Sequence, residues 1–522
     1  MNLRDSLLDA LKSLPGTREI HVHTLVSAPS KTQELFPYAS PRPRVWQQHI
    51  IVLASEQPSV AQPRIFVTAV EGYFYTIPST RSGILYVSKV DSTGQGKKPS
   101  PTGTIVKRLI RFYVNPDTRP NLGGTGGLAE HVWVHVFARA QGQYLFPNSA
   151  DFEGKKPLSD VKLCAWWKAI LASVAEELSK RAGRKEGERI KLWHVLPGLN
   201  ELEALQTLRP ASTSFDPPID PPSIAWTYGH PSTQKLDDAD SIPLPCPADG
   251  KGGTSGSGFN LGRFIPSFED DPKARFMDEI AHTTDSDVIK SPARKKAKKA
   301  ADEDAHEVER KGGSRTGELE KVTPGEYWER MSFRQECVAG IVTGFFAMGY
   351  TSPSTRSGIG GSDPSIFTPQ PGQVSSNITK RVMSSLMTGI EFSTVDRAVR
   401  GTETLEGAIK GMCEGIAVGV EVDPPRSRQE YGRTTPEPTG RNDYLAIPST
   451  PPRGTGFVGT EVSPNPFPEP TASLETYTSW IYGSACIDNP LPAKPSGEGG
   501  GSDKAAGRRV TVLAVRKKRK KE

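Results

Sequence analysis

The chain has 522 residues, 50 of them glycine and 46 proline, and only 35% of it is hydrophobic; the length admits two or three domains, but this composition keeps much of the chain out of any core. Five cysteines, Cys164, Cys246, Cys337, Cys413 and Cys486, are odd in number and scattered, with no Cys-x-x-Cys pair and no histidine at ligand spacing, which argues for a reducing compartment and against zinc. The net charge of +6 is modest, and its excess sits in two runs, 294–299 and 516–521.

In chain order, residues 1–14 carry charges at Arg4, Asp5, Asp9 and Lys12 with no unbroken apolar run, which fits a short amphipathic helix and not a secretion signal. Residues 19–26, 46–54, 65–77 and 84–90 are rich in Ile, Val, Phe and Tyr between proline, serine and glycine punctuation, and read as strands. A helix is expected over 105–114, then the glycine-rich loop 121–127, then a strand over 130–138. A loop that cradles phosphate follows a strand and opens a helix; this one precedes a strand and reads as a connector.

From 159 to 182 the period changes: Leu163, Trp167, Ile170, Leu171, Val174 and Leu178 make the apolar stripe of a buried helix. Residues 205–262 are dominated by Pro, Ser, Asp and Gly, and 284–320 by charge, so both are expected as disordered insertions. Helical patterns resume at 324–348 and 377–418. The longest apolar stretch, 338–350, is far shorter than the roughly 20 residues a membrane span needs. Beyond 423 proline, threonine and glycine dominate, apart from an aromatic island at Tyr477, Trp480 and Tyr482 and a final strand at 509–515. Each basic run reads as an import signal, a nucleic-acid patch or a solvated tail; two together point to a nucleus.

Residues 267–276, Ser-Phe-Glu-Asp-Asp-Pro-Lys-Ala-Arg-Phe, crowd acids against a basic pair. Asp271 before Pro272 is a helix start, an aspartate N-cap with proline at the first helical position, and Phe276, Met277 and Ile280 supply a buried face. The cap does not account for the second acid or for the lysine one residue inside the helix. A carboxylate near an incoming amine can orient it or help remove its proton.

Asp270-Asp271-Pro272-Lys273-Ala274-Arg275-Phe276 resembles the signature of the fungal lysine acetyltransferase family known as regulator of Ty transposition. Further pieces resemble it in the right order: Tyr86-Val87-Ser88-Lys89-Val90-Asp91, Phe137-Ala138-Arg139, Gln143-Tyr144-Leu145-Phe146-Pro147, Trp166-Trp167, Trp226-Thr227-Tyr228-Gly229, Arg334-Gln335-Glu336 and Glu406-Gly407-Ala408-Ile409. The basic helical insertion that other members carry before the cofactor strand is largely missing, with the glycine loop in its place.

The resemblance implies an α/β fold, a central mixed β-sheet flanked by helices, in a single acetyltransferase domain assembled from 1–204, 263–283 and 321–422, with insertions at 205–262 and 284–320, a mostly disordered 423–505 and a terminal strand and basic tail at 506–522. It implies acetyl-CoA as substrate, no metal, and transfer of acetyl to a lysine of newly made histone H-three, presented with histone H-four by chaperones of the nucleosome-assembly and anti-silencing types. DNA contact by the basic tails is a further expectation; membrane contact is not. The implied cofactor residues are Lys89, Phe137, Arg139, Tyr144 and Lys156, with Lys155 as another cation beside them. The implied catalytic residues are Asp271, supported by Asp270, together with Trp167, Tyr144, Asp91 and Lys273, the last acetylated by the enzyme itself. A non-catalytic chromatin scaffold and an acyltransferase of another type stand as the alternatives; the pyrophosphate loop of the common acyltransferase type precedes no helical pattern here.

Overall fold

The computed structural model describes residues 2–119, 129–212, 224–234, 241–246, 260–282, 318–334, 340–352, 370–414, 470 and 473–491. Its spine is β1 (Gly16–Ser27), the short β2 (Ser30–Thr32), β3 (Val45–Gln57), β4 (Ile65–Ile77), β5 (Ser82–Ser92) and β6 (His131–Ala138). Later segments add β7 (Arg189–Val195), β8 (Trp226–Tyr228), β9 (Gly344–Thr351), β10 (Gln373–Val374) and β11 (Tyr482–Asn489). Together they form one mixed sheet in the order β10-β1-β3-β4-β5-β6-β9-β7-β8, with β11 beside β1 and β2 beside β3. The pairs β5–β6, β7–β8 and β1–β10 are parallel and the rest antiparallel.

Helices cover the sheet: α1 (Leu3–Leu11), α2 (Thr102–Val114), α3 (Asp160–Ser179), α4 (Glu201–Ser212), α5 (Pro272–His282), α6 (Pro324–Met331), α7 (Ser376–Thr388) and α8 (Val395–Glu414). The expected mixed sheet with flanking helices is therefore present. The stripe read from 159–182 is buried at Trp167, Ile170, Leu171, Val174 and Leu178, while Leu163 stays half-buried. Burying a large apolar side chain contributes roughly 1.5–3 kcal/mol, so this face alone anchors α3 firmly to the sheet. Ser159 caps it, accepting from the Lys162 N–H at 3.4 Å.

Three expectations need correction. The helix expected over 324–348 ends at Met331, and Gly344–Thr351 is instead the strand β9, every residue of it buried. It lies between β6 and β7, covered on both faces, so it reads as an unbroken apolar run without alternation, the pattern a buried helix shares. The helix expected over 377–418 is two, parted after Gly389, and 415–418 lie outside the described residues. Within 205–262, expected to stay out of the core, α4 continues to Ser212, β8 pairs with β7, and Ile242 and Leu244 are buried. The strand β7 was not anticipated. The expected strand at 509–515, the glycine loop and both basic runs lie outside the described residues. The aromatic island does dock: Tyr477 is buried, and the following strand β11 pairs with β1 from Gly16 to His23. Cys164, Cys246 and Cys413 are buried and Cys486 is exposed, and among the described residues none of the four is in a disulfide. Among the described residues no helix is long and apolar enough to cross a membrane.

Four buried histidines tie this sheet to pH. Burial, joined by the charge of Arg64, Lys273 and Lys168 respectively, pulls His23, His135 and His194 down to about 3. His230 is lowered well below its usual value by burial, then by Lys273 and His135. The unfolded chain takes up these protons near pH 6.5 and the folded chain only far below, so folding stability falls as pH drops below about 6.5. Each such histidine removes at most about 1.4 kcal/mol per pH unit. Thermal melts from pH 7.5 to 5 are expected to show a steadily falling midpoint; a flat profile would contradict the buried neutral state.

Candidate active site

The sheet opens where two parallel strands part. β5 and β6 stay in register as far as Val87 and Val136; beyond that, β5 continues on β4 and β6 on β9. At the same level the β4–β5 register slips, with Glu71 opposite Lys89 and Gly72 opposite Val87, leaving Ser88 as the extra residue of a bulge. Only glycine fits at position 72, because a Cβ there would lie 2.9 Å from the Tyr86 carbonyl oxygen. The diverging ends create a cleft of about 360 Å³, walled by α3, the first turn of α2 and the loop after β6. This is where open α/β sheets bind ligands, beyond the carboxyl ends of their strands.

Six of the sequence-derived candidates line this one cleft: Lys89, Asp91, Phe137, Tyr144, Lys156 and Trp167, together with Lys155. Trp167 is 4% exposed and meets Trp166 edge to face at 4.8 Å, so it serves core and cleft at once.

Asp91 is buried and saturated. One carboxylate oxygen accepts from the backbone N–H groups of Tyr144, Leu145 and Phe146 at 2.7, 2.8 and 3.1 Å; the other accepts from the Ser92 N–H and the Lys155 ammonium, both at 2.8 Å. Such a carboxylate has no lone pair left for a substrate. It folds the Gln-Tyr-Leu-Phe-Pro turn against β5, and Lys155, also donating to Ser149 Oγ at 2.7 Å, is its counter-charge and not a phosphate ligand. Tyr144 donates its hydroxyl to the Arg139 carbonyl. Burial and the nearby Asp91 charge push its pKa up to about 12, so it remains a donor.

Lys89 is held between two acids, Glu71 at 2.9 Å and Asp270 at 2.6 Å. Burial pulls its ammonium down, but Asp270 and Glu71 more than offset this and raise it. Burial likewise pushes Glu71 up, and hydrogen bonds from His49 and Lys89 reverse that, holding it at about 2. The cation left in the cleft lining for a phosphate is exposed Lys156; Arg139, one residue past β6 and next to the lining residue Ala140, is exposed outside that lining, and neither is in an ion pair among the described residues. The first turn of α2 adds to them: Thr102 and Gly103 face the cleft, and Pro101 supplies no side-chain cap. Its backbone N–H groups and the positive end of the helix dipole suit an anion. The Thr102 N–H already reaches Ser100 Oγ at 3.4 Å, leaving those after it, and nothing in the sequence flagged the site because Pro101 at the cap position has no side-chain acceptor.

The acids of the Asp-Asp-Pro-Lys segment separate. Asp271 accepts the Lys273 N–H at 2.9 Å, the N-cap expected for α5, and its other oxygen accepts from the Lys273 ammonium in an ion pair with both side chains almost completely buried. Burial raises Asp271 and lowers Lys273, and their contact opposes both shifts. The ammonium also lies over the rings of Phe345 at 4.7 Å and Phe268 at 5.4 Å. Phe345 in turn stacks on Phe137 at 4.8 Å, so the pair stands behind the aromatic wall of the cleft. Asp270 is the acid at the rim, 46% exposed, accepting from Ser88 Oγ at 3.2 Å. Among the described residues, no group of three or more His, Cys, Asp or Glu side chains could hold a metal ion.

The other quoted motifs brace the fold. Arg334 reaches Glu279 on α5 with two hydrogen bonds. Glu406 on α8 accepts from Ser55 Oγ at 2.6 Å and pairs with Arg64 at 3.0 Å. Trp226 to Tyr228 form the edge strand β8.

A family model described as the histone acetyltransferase KAT11-type domain matches residues 126–407. A histone acetyltransferase rtt109 of Aspergillus flavus is 26% identical over 356 residues, 64% of this chain and 54% of that protein. A histone acetyltransferase rtt109 of Schizosaccharomyces pombe is 25% identical over 302 residues, 57% of this chain and 60% of that protein. The chain thus spans a little over half the length of these curated relatives. The crystal structure of Rtt109 from Aspergillus fumigatus shares the fold, with a TM-score of 0.53 and 23% identity over 78% of this chain and 94% of that one. With more than half of its length matched by the family model, the chain belongs to the histone acetyltransferase KAT11-type family.

Proposed function

We propose that the chain is an acetyl-CoA-dependent histone lysine acetyltransferase acting on newly made histone H-three in complex with histone H-four. The observation that carries this reading is the cleft itself, whose lining combines the aromatic residues Phe137, Tyr144, Trp166 and Trp167 with Lys156 and the start of α2. Such a lining fits a thioester against its aromatic residues and phosphates against its cation and helix start.

A lysine amine has a free pKa near 10.4, so a proton must leave before nitrogen attacks. An apolar slot beside Trp167 and Phe137 disfavours the ammonium and lowers that barrier. Asp270, at the rim, orients the amine and receives it as an ammonium; buried Asp271 holds Lys273. One ammonium proton passes to the Asp270 carboxylate, the nitrogen then attacks the thioester carbonyl, the carbon–sulfur bond breaks, and the coenzyme A thiolate leaves, taking up the proton that the new amide nitrogen sheds. Tyr144, released from the Arg139 carbonyl, donates to the developing oxyanion or to the thiolate.

Acetylation of Lys273 by the enzyme itself would turn the buried ammonium into a neutral amide, and Asp271, already raised by burial, would take up a proton. The acids at the rim suit a basic substrate, and histone chaperones of the nucleosome-assembly and anti-silencing types, a nuclear location and service in genome maintenance complete the proposal.

Arg139→Ala with Lys156→Ala is expected to raise the KM for acetyl-CoA about 10-fold with kcat nearly unchanged, two exposed phosphate contacts being lost. Equal losses in kcat and kcat/KM would place these cations in the chemical step. The reading as a whole is tested by incubating the purified chain with labelled acetyl-CoA and the histone H-three–H-four complex, with label expected on a histone lysine.

A further inference from the structure

A second cavity, of about 280 Å³, lies at the opposite end of the sheet. Its floor is the face of β1, β3 and β4 at Thr24, Trp46, Gln48 and Thr76, and its walls include Phe112 and Tyr113 near the end of α2 and Trp480 from the C-terminal segment. Helix α2 begins at the active-site cleft with Thr102 and Gly103 and reaches this cavity with Phe112 and Tyr113, about 10 residues and roughly 15 Å along the helix at 1.5 Å per residue.

Three features define what the cavity would accept. Its size is just below the 300 Å³ at which sites for drug-sized ligands begin, enough for one or two rings. Its described lining contains no acid and one cation, Arg4, whose guanidinium is already committed to Asp5 and to the carbonyls of Thr478 and Tyr482. Aromatic residues at Trp46, Trp480, Phe112 and Tyr113 favour a planar guest. One polar group is left over: Thr24 is 3% exposed and its hydroxyl has no hydrogen-bond partner. Buried polar groups ordinarily have partners, and Thr24 is itself one of the residues that line the cavity. Beside it Gln48 uses its amide N–H on the Ser27 carbonyl at 3.2 Å.

We propose that this cavity is a binding site for a small, uncharged, planar ring compound carrying a hydrogen-bonding edge, which Thr24 and Gln48 would meet while the aromatic residues enclose its faces. The site is separate from the acetyl-CoA cleft and is filled independently of it.

The test uses 5-fluoroindole as probe, followed by fluorine NMR with the full-length chain. Its resonance is expected to broaden on addition of protein, and to do so equally with acetyl-CoA at saturation. The Trp46→Ala/Trp480→Ala variant should abolish the broadening, and Thr24→Val, which keeps shape and removes the hydroxyl, should weaken binding about 5-fold, the effect of one hydrogen bond. Acetyl-CoA binding by each variant reports that it is folded. No broadening, displacement by acetyl-CoA, or equal binding by the folded tryptophan variant would each overturn the proposal.

Discussion

Asp91→Ala is expected to lower the thermal midpoint by about 10 °C and acetyl transfer by at least about 100-fold, with acetyl-CoA affinity falling alongside. The reason is geometric. The carboxylate gathers four backbone N–H groups and one ammonium onto two oxygens, and all five donors lose their acceptor together. Breaking a buried ion pair by deleting one partner alone costs about 3–5 kcal/mol. Released from Asp91, the turn that presents Tyr144 no longer walls the cleft. A carboxylate acting as general base predicts a different pattern: lost turnover with midpoint and acetyl-CoA affinity intact. Calorimetry of acetyl-CoA binding beside a melt separates the two.

Lys273→Met is expected to destabilise the chain by about 3–5 kcal/mol, because it leaves the Asp271 carboxylate buried without its counter-charge. The partner change Asp271→Leu should cost a similar amount, stranding the ammonium between Phe345 and Phe268. Made together, the two should recover most of the loss, since a buried ion pair replaced by apolar groups of similar volume is often close to neutral. A double-mutant cycle in denaturant measures the coupling. Single changes that add without interaction would show that the pair is not the unit the geometry describes.

Much of the site was legible because its residues come from local patterns. The Asp271–Pro272 N-cap, the apolar stripe that carries Trp167, and the strand ending in Phe137 could each be read from a few neighbouring residues, and the structure brings Trp167 and Phe137 to one cleft. What could not be read depends on pairing between distant segments. Lys89 looked like a free cation until the β4–β5 register set Glu71 opposite it and α5 brought Asp270 to its ammonium. Asp91 looked like a reactive acid because a turn more than fifty residues later is what saturates it. The strand β9 was taken for helix because full burial on both faces erases the alternation that marks a strand. The paired acids read alike in sequence, yet one closes a buried ion pair and the other faces solvent.

In the proposed reaction the cleft between the diverging ends of β5 and β6 delivers an acetyl group from a thioester to a histone lysine. Mass spectrometry of the histone H-three–H-four complex after incubation with the chain and isotope-labelled acetyl-CoA tests it, with Trp167→Phe run in parallel. Label is expected on a histone lysine, reduced at least about 10-fold by that single loss of cleft wall. Tight binding of acetyl-CoA with no label on any lysine, or label undiminished in the variant, would contradict it.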